Sequence, residues 1–290
     1  MKRIYLLSTE HLEDGLWFRD EEDFKVAMNY VAIEAARHPY VGVLAFILMS
    51  NHVHFVLKGT RKDVKEFVER FKHRYSIYYR KKYGVKQLLK HNGLDIKLIP
   101  YDDEAVEKAI AYTLMNSVVA GICAHASQYP WGSGAMYFGQ PAVSGTRVKN
   151  LSARALKRLL HTDEDAIPGE WIIGQEGYIL PHNYVDCKGV EALFRTPQRL
   201  NYFLNSSSKA RKRLEYADSN LPAFRDQTIL ATLPDLLRSL FHKDTFGQLL
   251  PEEQVELARQ IRFRFSADAT QIARVCGITY AEAAHLLDSM

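Results

Sequence analysis

The motif His52-Val53-His54 places two imidazole groups two residues apart in the chain. In a β-strand, residues i and i+2 point to the same face, so the two imidazoles would project side by side, with Val53 on the opposite face. Two imidazoles in this arrangement make half of a binding site for a divalent metal ion. Alternating histidines on a strand are more often ordinary polar residues, so the motif by itself leaves both interpretations open.

A tyrosine and an asparagine further along the chain are separated by one helical turn. Tyr112 and Asn116 lie four residues apart in a segment that we predict to be helical, so they share one helix face. An amide oxygen is a suitable ligand for Mg²⁺ or Mn²⁺. A ligand at Asn116 would hold the Tyr112 hydroxyl beside the metal. A packed aromatic residue and a surface amide are the alternative interpretation of the pair.

The elements that must position these residues follow from hydrophobic periodicity and from turn residues. The pattern predicts strands over residues 4–8, 43–49, 52–58 and 96–99. It predicts helices over residues 20–37 and 62–83 and from the acidic cluster at 102–104 to Gly121. Ser50-Asn51 forms a tight turn between the second and third strands. This order predicts an α+β fold: a ferredoxin-like antiparallel sheet with the histidines on a central strand, an added helix carrying Tyr112, and a mostly α-helical C-terminal region.

The second predicted helix concentrates positive charge. The whole chain has a formal net charge of +4, whereas residues 61–82 contain nine basic and three acidic residues. Such a helix is typical of proteins that bind a phosphate backbone, and a merely solvated basic face is the alternative. The residues that we expect to contact DNA are Lys72, Arg74, Arg80 and Lys81. Tyrosines on this helix could stack on bases where exposed, but we expect Tyr75 and Tyr78 to pack in the core.

Five stretches occur in a characteristic order: residues 17–20 (WFRD), 48–55 (LMSNHVHF), 80–84 (RKKYG), 112–121 (YTLMNSVVAG) and 129–133 (YPWGS). With them, residues 1–140 resemble the REP-associated tyrosine transposases and related single-tyrosine HUH endonucleases. The resemblance implies that Tyr112 attacks the scissile phosphate of single-stranded, hairpin-forming DNA and leaves a 5′-phosphotyrosine link. His52, His54 and Asn116 would then hold Mg²⁺ or Mn²⁺. A free tyrosine hydroxyl has a pKa of about 10 and needs such activation.

The sequence departs from the family pattern at positions that flank these motifs. Ser50 replaces a usual proline, Ser117 and Val119 replace a usual proline and arginine, and residues 87–93 lack the usual basic, aromatic character. No ligand or nucleophile is lost, so the departures bear on DNA sequence preference more than on chemistry. A DNA-binding regulator that does not cut is the alternative function. A replication initiator or relaxase often has paired tyrosines or a third histidine, which the motifs here lack.

Length and composition suit a protein of one large domain or two ordinary ones, with 290 residues of which 47% are hydrophobic. We predict a catalytic domain over residues 1–142, a mixed extension over 143–230, and a helical region over 231–290 with a helix-turn-helix pattern near 271–280. No apolar stretch is long enough to span a membrane and no export signal is evident, so we expect a cytoplasmic protein. We expect a monomer or a homodimer.

Overall fold

A four-stranded antiparallel sheet lies at the centre of the first half of the chain. The computed structural model describes residues 2–9, 16–84, 93–120, 122–139, 144–163, 166–206, 226–265 and 267–289. The strands are β1 (Arg3–Thr9), β2 (Gly42–Met49), β3 (His52–Gly59) and β4 (Leu94–Leu98). Their spatial order is β2-β3-β1-β4, which is the ferredoxin-like arrangement. The predicted α+β fold is therefore confirmed, and the histidines begin a central strand.

Two helices, α1 (Glu21–Arg37) and α2 (Arg61–Tyr83), pack against one face of this sheet. The side chain of Asp20 caps free backbone amides at the start of α1, and the side chain of Thr60 does the same for α2. Helix α2 ends at Gly84, which has a positive φ of 69°. Phe55 on β3 contacts two α2 rings, with ring centroids 5.8 Å and 5.7 Å away. The tyrosines Tyr75 and Tyr78 are buried, which confirms their predicted packing in the core.

The opposite face of β2 and β3 packs against α3 (Asp103–Leu114) and the short α4 (Asn116–Val119). We predicted one continuous helix here, but it is interrupted at Met115, whose ψ is −2°. The side-chain amide nitrogen of Asn116 donates to the carbonyl oxygen of Tyr112 at 2.8 Å. In a continuous helix that oxygen would accept from the backbone amide of residue 116. Side chain and backbone therefore compete for one acceptor at the break.

The outer edge of β2 is covered by later parts of the chain. The Trp131 backbone oxygen accepts a hydrogen bond from the Leu48 backbone amide at 2.8 Å, and the Ser133 backbone amide donates to the Phe46 backbone oxygen at 3.0 Å. A Cβ at Gly132 would lie 2.7 Å from the Phe46 oxygen, so only glycine allows this close approach. This covering segment blocks the pairing groups that an exposed edge would offer to another chain.

Residues after 143 continue the packing around the same sheet. They form α5 (Ala153–Leu160), α6 (Cys187–Phe194), α7 (residues 197–206) and a small ladder of β5 (Thr146–Arg147) with β6 (Ile172–Ile173). Buried side chains from Val148 to Phe203 join the hydrophobic core of the sheet. The predicted boundary after residue 142 falls in a stretch, 140–143, that lies outside the described residues. The division into domains stays a prediction.

The last part of the chain forms α8 (Asp226–Phe241), α9 (Pro251–Phe265), α10 (Ala269–Cys276) and α11 (Tyr280–Asp288). These helices enclose a second hydrophobic cluster, which also includes Leu16. Gly277, with a φ of 68°, turns the chain between α10 and α11, as the helix-turn-helix pattern predicts. No helix among the described residues is long and apolar enough to cross a membrane.

The buried tyrosines of this core predict a loss of stability in alkali. Burial raises the pKa of Tyr30 and of Tyr79 to about 12, whereas an unfolded tyrosine ionises near about 10. Because the folded-state pKa is the higher one, this stability is complete below about pH 10 and is lost as the pH rises through about 12. We expect the urea concentration at the unfolding midpoint to decrease as the pH is raised from about 8 to about 11.

Matched variants test the origin of that loss. Tyr30→Phe should recover about 1 kcal/mol of the stability lost at about pH 11, because it cannot ionise in the unfolded state. Tyr101→Phe, at a side chain that is 96% exposed, should recover none. If wild type and Tyr30→Phe lose the same free energy of unfolding in alkali, burial of the Tyr30 phenol does not contribute to that loss.

Candidate active site

The two histidines of β3 lie on the sheet face that packs against α3. Because side chains alternate along a strand, the contacts of Phe55 with α2 direct His52 and His54 to the opposite face. Their ring centroids are 4.9 Å apart with an interplanar angle of 84°, and both side chains are buried. The structure therefore brings the two predicted ligands side by side.

Tyr112 reaches this pair from α3. Its ring lies 5.6 Å from that of His54, edge to face at 82°. Its side chain is 38% exposed, unlike the buried tyrosines of α2, so its hydroxyl-bearing ring is within reach of a ligand from solution. Asn116 is buried one turn further on, where its amide nitrogen bonds the carbonyl oxygens of Tyr112 and Thr113. These bonds fix the orientation of the amide group relative to the tyrosine backbone.

The spacing of the imidazoles fits a shared divalent cation. An ion bound to a ring nitrogen at about 2.1 Å lies about 3.2 Å from the ring centre, so two rings sharing it have centres about 4.5 to 5.2 Å apart. The observed 4.9 Å falls within this range. Among the described residues, no cluster of three or more histidines, cysteines or carboxylates is found. An amide oxygen suits Mg²⁺ or Mn²⁺ as a ligand, and Asn116 as the third ligand stays a prediction.

Asn51 orients the first histidine, a role that we did not predict from the sequence. Its Oδ1 lies 2.7 Å from Nδ1 of His52. When Nδ1 donates its proton to this oxygen, Nε2 carries the lone pair that a metal requires. The position of Asn51, directly before the His-Val-His motif, was the available signal for this role.

The C-terminal helices contact the turn that carries Asn51. The Ser50 hydroxyl donates a hydrogen bond to the backbone oxygen of Arg264 on α9. The Arg264 side chain is buried and lies over the Phe24 ring, 5.6 Å from its centroid. Burial lowers the pKa of Arg264, although Asp20 nearby favours its charged form. The serine at the position where the resembling family usually has proline therefore bonds to a part of the chain 214 residues away.

Helix α3 is held from its outer side as well. Glu107 is fully buried and forms a bidentate ion pair with Arg199 of α7, with one N–O distance of 2.7 Å. Such planar two-point pairing fixes the relative position of the two helices. Residues beyond the first 142 therefore support the helix that carries Tyr112.

The four predicted DNA-contacting residues lie on α2, across the sheet from the histidines. Arg80 and Lys81 are exposed and Lys72 is half-buried. Arg74 forms an ion pair with the fully buried carboxylate of Glu34, which restricts its side chain. The structure thus brings together His52, His54 and the Tyr112 ring, with Asn116 bonded to the Tyr112 backbone, and places the basic residues outside this group. A single DNA molecule that contacts both must pass around the sheet.

A family model matches part of the first half of the chain. Residues 18–93 match the family model described as "Transposase IS200 like". The match confirms the resemblance over a segment that includes both histidines and α2 and ends before Tyr112. A search of curated proteins found no match.

A solved structure of a REP-associated tyrosine transposase bound to a REP hairpin is similar to this chain at 13% sequence identity. The alignment covers 45% of this chain and 76% of that protein, with a TM-score of 0.32.

The contact between Ser50 and α9 predicts that one hydroxyl stabilises the docking of the C-terminal helices. Ser50→Ala should lower the free energy of unfolding by about 1 to 2 kcal/mol, because the Arg264 oxygen loses a buried hydrogen bond. Chemical denaturation and limited proteolysis of residues 226–289 would measure the change. Ser289→Ala removes a similar bond to the His285 oxygen at an exposed site and should cost less than about 0.5 kcal/mol. Equal costs at both sites would contradict the docking role.

Proposed function

We propose that this protein is a metal-dependent single-strand DNA endonuclease and strand transferase that acts through a 5′-phosphotyrosine intermediate. The main support for this proposal is an exposed tyrosine beside a buried histidine pair. The ring centroids of Tyr112 and His54 lie 5.6 Å apart, and those of His54 and His52 lie 4.9 Å apart. Nucleophile and metal ligands are thereby adjacent on one face of the sheet. The match of residues 18–93 to IS200-like transposases supports the same reaction class.

His52, His54 and Asn116 would hold the cation, Mg²⁺ or Mn²⁺. When bound, such an ion polarises the scissile phosphate and offsets the charge that develops on its oxygens. A hydrogen bond donated by Nδ1 of His52 to the Asn51 oxygen would leave Nε2 of His52 for the cation. Asn116, anchored by its bonds to the Tyr112 and Thr113 oxygens, links the ligand set to the backbone that carries the nucleophile.

Tyr112 would attack the phosphorus atom as its hydroxyl loses a proton. A bond forms between the tyrosine oxygen and phosphorus, and the bond from phosphorus to the 3′ oxygen breaks. The leaving 3′ oxygen takes up a proton and becomes a free hydroxyl. Because one phosphodiester is exchanged for another, a second 3′-hydroxyl can reverse the step and rejoin DNA without ATP. The cytoplasmic location, and a hairpin-forming strand as substrate, remain predictions.

A DNA-binding regulator that does not cut is the second candidate. Two observations favour it: the family match ends before Tyr112, and α10 and α11 follow one another through a turn at Gly277, in the order of the predicted helix-turn-helix. Helix α11 carries no lysine or arginine, however, which suits packing as well as DNA reading. Tight DNA binding without any covalent product, over a range of metals and strands, would favour this alternative.

Substitution of the nucleophile tests the proposal directly. Tyr112→Phe should reduce formation of the covalent protein–DNA adduct by at least about 10³-fold, because the attacking oxygen is removed. The measurement is a denaturing gel with end-labelled single-stranded DNA and Mn²⁺. Tyr101→Phe removes an even more exposed hydroxyl just before α3 and should form the adduct as wild type does. An adduct of normal yield with Tyr112→Phe would show that another residue attacks.

Removal of the metal should abolish cleavage reversibly. We expect EDTA to stop adduct formation, and added Mn²⁺ to restore it in wild type, because the phosphate needs a cation to offset its charge. His54→Ala should lose at least about 10²-fold in rate and should not recover at moderate Mn²⁺ concentrations. His182→Ala, outside the site, serves as the matched control. Full activity in EDTA, or in His54→Ala, would contradict the metal assignment.

A further inference from the structure

A basic groove opens on the far side of the sheet from the histidines. Its volume is about 800 Å³, and α1, α2 and α5 line it. Six lysine or arginine side chains face it: Arg70, Arg74, Lys81, Lys82, Lys157 and Arg158. Glu22 is the one acidic residue among the described residues that line it. The groove depends on α5, which lies outside the segment that matches the transposase family.

The cations of the groove differ in how firmly they are held. Arg74 and Lys82 pair with the buried carboxylates of Glu34 and Asp23, which fix them in place. Arg70 and Lys157 form ion pairs with exposed acids, which are weak in water and exchange readily for another anion.

Two cations face the groove from opposite walls. Lys81 on α2 and Arg158 on α5 are exposed. Neither has an ion-pair partner in the part of the chain that the structure describes. A ligand lying in the groove can therefore accept hydrogen bonds from both walls.

The groove is formed before any ligand binds. His161, at the end of α5, contacts Glu22 of α1 at 3.0 Å and the Tyr78 ring with centroids 5.3 Å apart. The hydrogen bond from His161 is the largest cause of the lowered pKa of Glu22. Buried Asn29 on α1 also bonds the Leu159 oxygen. Fixed walls reduce the ordering cost of binding.

The dimensions favour an extended polyanion over a small anion. From Arg70 to Lys81, α2 rises about 16 Å. Along the axis of a DNA duplex, each strand carries one phosphate per about 3.4 Å, so a duplex with its axis parallel to α2 presents about five phosphates of one strand over this length. Ile77, 45% exposed between the cations, offers an apolar surface to sugars. A single free phosphate would reach only a small part of the cationic lining.

We infer that this groove binds the phosphodiester backbone of DNA outside the cleaved strand segment, and that α5 supplies one of its walls. The inference rests on the proposed function, because it assigns a second contact to the same DNA substrate. The sheet and the α1–α2 layer separate the groove from Tyr112, so the DNA held here is not the DNA being cut. The groove thus adds affinity and orientation at a distance from the chemistry.

Charge reversal on both walls tests the inference. The binding of a fluorescent DNA hairpin with single-stranded tails is measured by anisotropy, without metal, in a Tyr112→Phe background that cannot cleave. Lys81→Glu and Arg158→Glu should each weaken binding about tenfold. Each should also reduce the slope of log Kd against log salt concentration by about 1.

Matched controls use exposed cations on the same helices that do not line the groove. Lys62→Glu on α2 and Arg154→Glu on α5 should change Kd by less than about threefold, because long-range charge effects are screened by salt. Normal binding by Arg158→Glu, or equal losses in the controls, would overturn the inference. Thermal unfolding of each variant separates misfolding from lost contacts, and Arg158→Gln, a milder change, should still reduce the salt slope.

The outcomes separate this inference from the proposed function. If wild type forms the covalent adduct while the groove variants bind DNA normally, the groove assignment alone is wrong. If the groove variants lose affinity but wild type forms no adduct with any metal, the DNA-binding groove stands and the endonuclease proposal fails.

Discussion

The alternation of side chains along β3 is the constraint on which the site depends. Val53 and Phe55 are buried, and Phe55 packs against Phe67 and Phe71 of α2. With that face committed to the core, His52 and His54 have to project to the opposite face. A shift of the strand by one residue would turn the imidazoles toward α2 and the Phe55 ring toward α3. The hydrophobic core therefore fixes the direction of the two proposed metal ligands.

The second half of the chain stabilises the site from two directions. Arg199 pairs with buried Glu107 and so holds the helix of Tyr112. The backbone of Arg264 accepts the Ser50 hydroxyl at the turn before Asn51 and His52. Both contacts join the ligand and nucleophile elements to segments outside the match to IS200-like transposases. In this protein the additional residues support the candidate site, and in our inference α5 adds a wall of a DNA-binding groove.

Local patterns predicted the sheet, because alternation, caps and turn residues act over a few neighbouring positions. They predicted the ends of α1 and α2 closely, and they predicted that His52 and His54 lie side by side. The roles of these histidines, of Tyr112 and of Asn116 stay predictions. The break at Met115 was missed because it depends on how the Asn116 side chain competes with its own backbone. The bond between Ser50 and Arg264 was missed because its partners are 214 residues apart. The α5 wall likewise arises from tertiary packing, which periodicity within α5 does not encode.

The central claim is that one cation, held by the two imidazoles and the Asn116 amide, aims Tyr112 at a phosphate. Crystals grown with Mn²⁺, and diffraction data collected near the manganese absorption edge, test this claim most directly. The account predicts a single anomalous peak within bonding distance, about 2.0 to 2.3 Å, of a nitrogen of His52, a nitrogen of His54 and the Asn116 oxygen. A peak bound elsewhere, or none at this position at saturating Mn²⁺, would contradict it.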